Sequence, residues 1–465
     1  MEKKKKKFKL IDAILATVCI TLVAESVPPT AAIGNSQYFW WIFLIIAFCV
    51  PYGMISAELG TTYQSEGGMY DWVKRAFGPK WAGRVAWNYW INFPLWIASL
   101  AVAVTDVLAG IFDLELSLPV LILLQLSYTW IVSLLGTQRI GESKWIVNIG
   151  TFFKIIFMLS LGILGIYVFM KTGESANPIR STADLLPSLD LAGLSFISVI
   201  IFNFLGFEVV ATFVDDMENP KKEIPKALIV GGALMAFFYV LPATGINIAM
   251  TTEQAEASGI TESFMILLTN LGVNADIVRI IVIAVGLMFI YTMIANIVSW
   301  SFGVNSVARY SAEDGCLPKA FAKTNENGVP YMASIINGIV ASIIIIIGIV
   351  LGQVSENASN LFWTFFSLSL VTLLIGYIPM FLAFLKLRKV DNTPRVYKVG
   401  GGKTFIRLFA IIPFVLLILA VIFTMFGDFS AEFIQDNMPL IVGVIVSLII
   451  QEILVSRIKT KKETK

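Results

Sequence analysis

The chain has 465 residues, of which 57% are apolar and 14% charged, against roughly 45–50% and about 25% in soluble domains; a water-soluble fold is excluded. The net charge of +2 gives no reason to suspect a nucleic-acid partner, which would need a basic face, so none is expected. Histidine is absent, which removes imidazole metal ligands, His-based triads and His proton switches, and leaves any proton coupling to carboxylates or lysine. Cys19, Cys49 and Cys316 show no metal-ligand spacing and read as buried structural thiols. No cofactor and no metal is expected.

Apolar stretches of about 20 residues, the length that crosses a ~30 Å hydrocarbon core, recur down the whole chain. Twelve spans are expected, near residues 11–33, 39–63, 82–111, 119–136, 146–170, 192–214, 226–250, 277–306, 331–351, 358–385, 404–426 and 438–456. The fold class is therefore an all-α membrane protein embedded in a lipid bilayer. The lysine run at residues 3–7 before an apolar stretch resembles a signal peptide, but Glu25 interrupts that stretch and eleven more spans follow. Alternate loops hold nearly all the lysine and arginine, while the other side has only Lys171, Arg180 and Arg279 together with many acids, among them Asp113, Glu253, Glu262 and Asp436. That asymmetry predicts cytoplasmic N- and C-termini and an outer face that attracts cations.

Span one reads CITLVAESVPPTAAIG, with Glu25 and the pair Pro28 and Pro29 halfway across the membrane. Proline removes a backbone donor and clashes with the preceding turn, so a continuous helix cannot hold there. Span six reads IIFNFLGFEVVATFVDDMENP, with Asn203, Gly206 and Glu208 at similar depth. Each break opens a five-span half, and interrupted helices at corresponding places in two halves point to a transporter's binding site. Irregular backbone at mid-membrane survives only where it lines a cavity or is buried in protein. The domain plan is a basic N-terminus (1–10), a first five-helix repeat (11–170), a second (192–385), helices eleven and twelve (404–456) and a basic C-terminus (457–465).

AELGTTYQSEGGMYDWVKRAFGPKWA, residues 57–82, resembles a signature of the amino acid, polyamine and organocation transporters. DDMENPKKEIPKAL after span six and ARYSAEDGCLPKAFAKTNENGVP after span eight resemble two further signatures in the same order. The resemblance covers roughly residues 10–390 and implies a five-plus-five inverted repeat of the LeuT type with two added C-terminal helices. Amino acid transporters of that family have a Gly-Ser-Gly type sequence at the span-one break, whose bare amides bind a substrate carboxylate. Here Ala24, Glu25 and Ser26 take its place, followed by Val27 and Pro28. A substrate carboxylate would meet like charge and few free donors, a mismatch of several kcal/mol in low dielectric. The substrate is therefore expected to lack a carboxylate, and Glu25 suits an ammonium or guanidinium; its other reading is a protonated or internally paired acid, with Lys154 as the partner.

The resemblance also implies roles for further residues. Trp300 falls where the family's basic-amine antiporters have an aromatic that stacks on the cationic head. Phe202 takes a gating-aromatic position, with Phe207 a turn and a half further on. Asn92 and Asn203 can bond amine protons, and Ser26 and Gly206 belong to the two breaks. Glu208 matches an acid of the family motif, implying a gate or proton-linked role, with a hydrogen-bonded strut as the alternative. Lys154 sits where sodium-independent relatives place an amine in a sodium position. Glu58, Asp215 and Asp216 read as structural partners of loop Arg and Lys.

The function expected is an exchanger of small cationic amines, agmatine for putrescine first, with arginine or ornithine next and a glutamate for GABA exchanger third. The protein is not expected to be an enzyme, since no nucleophile, metal set or acid–base pair converges on one cavity. A transporter-like sensor would need a long output segment, which is missing. The sequence leaves a homodimer open.

Overall fold

The computed structural model describes residues 10–458, apart from 66, 188–190, 207, 209–218, 355–360 and 428. Phe207, Asp215 and Asp216 lie outside the described residues. Among those described, ten helices are long and apolar enough to cross a membrane, and spans one and six are the two that are not.

Span one runs as a helix over Leu10–Thr21, passes through extended backbone at Val23, forms a 3-10 turn over Ala24–Ser26 and resumes over Val27–Ala31. Pro28 and Pro29 occupy the first turn of the resumed helix, where a missing N–H costs nothing. Span six is helical over Leu191–Asn203, then breaks at Gly206, whose φ of +103° only glycine adopts easily. Span two, beginning at Gln37, contains a π-helical stretch, Ile45–Cys49, just before Pro51; the missing donor at proline accounts for the widened turn.

The other spans are Pro79–Phe112, Leu118–Leu135, Ile140–Thr172, Pro220–Ala249, Ala275–Glu313, Tyr331–Val354, Leu361–Val390, Lys403–Phe426 and Met438–Ser456, spans three to five and seven to twelve. Two short helices, Thr252–Ala257 and Ile260–Asn270, join spans seven and eight.

Side chains such as Ile46, Leu123, Ile163 and Ile347 face outward, while Asn92, Asn203, Asn296, Glu58 and Lys154 are buried. This is the distribution expected when hydrocarbon surrounds the bundle and every polar group must be satisfied inside it. Spans five and seven cross closely because both have glycine at the crossing: a Cβ on Gly165 would lie 2.1 Å from the Gly245 carbonyl oxygen. Span three packs along span ten, and span one lies against spans five, seven and eight.

A buried polar chain joins three spans. The Trp90 indole N–H donates to Asn337 (2.7 Å), Asn337 donates to Asn305 (2.9 Å), and Asn305 donates to Ser334 (2.8 Å).

At the face with the basic loops, Glu58 is fully buried. It accepts from Arg388 Nε at 2.8 Å and Nη2, and from the Val399 N–H at 2.7 Å, with Arg395 at 3.3 Å. Glu58 is expected to pair with loop Arg and Lys; Arg395 is such a residue, whereas Arg388 lies in the last turn of span ten.

Candidate functional site

The two breaks meet. The Ser26 hydroxyl lies 2.6 Å from Asn203 Oδ1 and donates to the Val23 carbonyl at 2.7 Å. Thr30 Oγ1 is 3.5 Å from Asn203 Nδ2. Beside this junction is a narrow cavity of about 30 Å³ lined by Ile20, Val23, Asn92, Trp96, Phe202, Leu205, Asn296, Trp300, Ser369 and Leu373. It has space for a water or two and none for a diamine, so the walls must part to admit one.

Span three supplies one wall with its own periodicity. Tyr89, Asn92 and Trp96 stand at i, i+3 and i+7, one face of a helix, and spread over about 10 Å of its axis. Toward the acidic face, Trp96 meets Phe202 (6.1 Å between ring centroids) and Phe366 (5.6 Å), and Phe202 meets Phe366 at 5.0 Å. These rings cap the cavity. Toward the basic-loop face, Glu208 accepts hydrogen bonds from the hydroxyls of Tyr52, Tyr89 and Tyr377, the Tyr89 bond being 3.1 Å. The Tyr52 hydroxyl also accepts from the Gly206 N–H at 3.3 Å. Four spans therefore converge on one carboxylate beneath the cavity.

Trp300 is buried between these layers. Its ring lies 5.9 Å from that of Tyr89, and a Cβ on Gly206 would come within 2.8 Å of it. Gly206 is thus required twice, for its backbone angle and for the room Trp300 occupies. Trp300→Leu should weaken amine binding by about 1–2 kcal/mol, with Phe or Tyr retaining part, because a ring face supplies the attraction for a desolvated cation. Equal affinity in the Leu variant, measured on purified protein, would make Trp300 a packing residue.

The carbonyl end of the first half-helix is held by side chains from three other spans. Lys154, almost fully buried, donates to the Cys19 carbonyl at 2.7 Å and to that of Leu22. Asn296 donates to Cys19 (3.0 Å) and Ile20 (3.1 Å), and the Tyr239 hydroxyl donates to Thr21 at 2.7 Å. Carbonyls that a broken helix leaves orphaned are satisfied in this way. Lys154 therefore forms no ion pair with Glu25, contrary to the paired alternative. Glu25 is half-buried, has no ion-pair partner among the described residues, and does not line the narrow cavity, although it shares electrostatic range with Lys154, Tyr128 and Tyr239.

The expected residues Asn92, Phe202 and Trp300 are thus brought to one cavity. Ser26, Asn203 and Gly206 sit at the junction beside it, and Glu208 lies below. Tyr52, Tyr89, Trp96, Tyr239, Asn296, Ser369 and Tyr377 were not expected. The helical face through Asn92 could have found Tyr89 and Trp96; nothing in the chain's pattern marks the rest.

The amino acid permease family model matches residues 8–449. The chain belongs to this family. It is 43% identical over 462 residues, 98% of this chain and 96% of the relative, to the "Probable agmatine/putrescine antiporter AguD" of Lactococcus lactis subsp. lactis (strain IL1403). It is 26% identical over 78% of its length, and 79% of the relative's, to the "Putrescine transporter PotE" of Escherichia coli (strain K12). A "Glutamate/gamma-aminobutyrate antiporter" of the same Lactococcus strain is 25% identical, with 86% of this chain and 80% of that protein covered. The crystal structure of the Eremococcus coleocola manganese transporter, in complex with an aromatic bis-isothiourea substituted compound, matches with a TM-score of 0.53 at 13% identity. The match covers 96% of this chain and 95% of that one, a likeness of fold. The permease is a transporter, not an enzyme.

Proposed function

We propose that this permease exchanges small carboxylate-free cationic amines across the cell membrane by alternating access, taking in agmatine and releasing putrescine, with both termini in the cytoplasm. The observation that carries the reading is the state of the span-one break. The Val23 N–H donates to Tyr239 (2.7 Å), the Ser26 N–H to the Val23 carbonyl (3.2 Å) and the Val27 N–H to the Ala24 carbonyl, while Pro28 and Pro29 have no N–H. Three of the five N–H groups at the break are thus taken, and the Glu25 carboxylate beside the other two, with no ion-pair partner among the described residues, would repel a substrate carboxylate. The AguD relative, alike over almost the whole chain, supports the same cargo.

In this reading Glu25 takes one end of the substrate, Trp300 stacks on a cationic head, and Asn92, Asn203 and Ser26 accept hydrogen bonds from its ammonium groups as Phe202 and Gly206 shape the walls. Glu208 closes the floor toward the cytoplasm, Phe207 belongs to the gating segment, and Lys154 stands in for a sodium ion. A glutamate for GABA exchanger is disfavoured by Glu25.

Uptake of labelled agmatine into liposomes preloaded with putrescine should proceed in sodium-free buffer and should need the internal amine. Strict dependence on a sodium gradient, with no stimulation from inside, would overturn the exchange reading.

A further inference from the structure

Asn296 of span eight touches both the cavity's aromatic cap and the carbonyl end of the first half-helix. Its amide oxygen accepts the Trp96 indole N–H at 2.9 Å, and its amide nitrogen donates to the carbonyls of Cys19 and Ile20 at 3.0 and 3.1 Å. Asn296 and Trp96 both line the cavity and are buried. Because the cavity is too small for a diamine, any such substrate must move its walls, and Trp96 with Phe202 and Phe366 is the wall that closes it. A primary amide whose oxygen and nitrogen are both engaged in a dry interior is oriented by both partners at once, since losing either leaves a buried polar group unsatisfied.

We propose that Asn296 is a positioning residue that locks the first half-helix to the aromatic cap, so that displacement of Trp96 by a bound substrate loosens the half-helix. The proposal rests on the exchange reading only for what the substrate is.

Cys19 lies on that half-helix and is fully buried, so its alkylation reports when the half-helix moves. The test uses full-length protein with Cys49 and Cys316 changed to alanine, labelled with N-ethylmaleimide in the absence of any amine. Trp96→Phe keeps a ring in the cap and deletes the N–H; Asn296→Leu deletes both links at similar volume. Trp96→Phe should speed Cys19 labelling roughly fivefold to tenfold, the shift that losing one buried hydrogen bond brings; Asn296→Leu should speed it at least as much, since it also frees the carbonyls of Cys19 and Ile20, and the double variant should be no faster than Asn296→Leu alone, because both changes cut the same chain of contacts.

Unchanged labelling, or effects of the two changes that multiply, would overturn the proposal. So would equal acceleration at Cys49 in a companion protein that retains that cysteine instead, since general loosening would move both. Agmatine should speed Cys19 labelling in the otherwise unaltered protein and add little in Trp96→Phe. If agmatine binds yet leaves Cys19 labelling unchanged, the proposal is overturned; if agmatine does not bind while the variants behave as stated, the cargo assignment fails and the lock stands.

Discussion

Glu25→Gln should bind agmatine roughly 30- to 1,000-fold more weakly, a loss of about 2–4 kcal/mol, because the amide keeps shape but gives up a charge-assisted contact in a dehydrated site. The empty protein should be as stable as before. Lys154 is held by the carbonyls of Cys19 and Leu22, so removing the Glu25 charge breaks none of its hydrogen bonds. Affinity and thermal stability measured on the same purified variant test both halves of the expectation. A stable protein with unchanged affinity for agmatine would end the direct-contact role and reopen carboxylate-bearing substrates.

Arg388→Met should cost about 3–5 kcal/mol of stability, since it leaves a buried carboxylate without its principal counter-charge. Glu58 would retain only the Val399 N–H and the more distant Arg395. Changing Glu58 to methionine in the same protein should recover much of the loss, because the destabilising element is the stranded charge rather than the missing pair. Unfolding in detergent, followed by intrinsic fluorescence, reads both variants. A loss under about 1 kcal/mol in the single variant would mean that Arg395 or water replaces Arg388 and that the cluster is a surface-type pair.

Spans and breaks were legible because hydrocarbon imposes length and apolarity on each helix, and because proline and glycine mark where backbone bonding stops. The boundaries expected for span three, 82–111, differ from Pro79–Phe112 by a few residues at most; the break placed at Glu25 and Pro28 opens just before the prolines, between Thr21 and Val27, with Pro28 in the first turn of the resumed helix. Side-chain partners across spans were much less legible. Glu208 stood out as an intramembrane acid, but Tyr52, Tyr89 and Tyr377 are three of 13 tyrosines, and only the crossing of four helices selects them. Lys154 also stood out; that it caps carbonyls rather than pairing with Glu25 depends on where the half-helix ends, which no local pattern fixes. Asn296 had no mark at all, being a polar residue in a long apolar span.

The distances in sequence between these partners bear on how the chain is made. Trp90 waits for Asn337, Tyr52 and Tyr89 for Glu208, Trp96 for Asn296, and Glu58 for Arg388, with separations of 119 to 330 residues. Chains are synthesised and inserted from the N-terminus, so the first five spans enter the bilayer before these partners have been made. Lys154 does have its partners within that half, on Cys19 and Leu22. The first five spans are thus not self-sufficient: a fragment ending after span five would lack these partners of Glu58, Trp90, Trp96, Tyr52 and Tyr89.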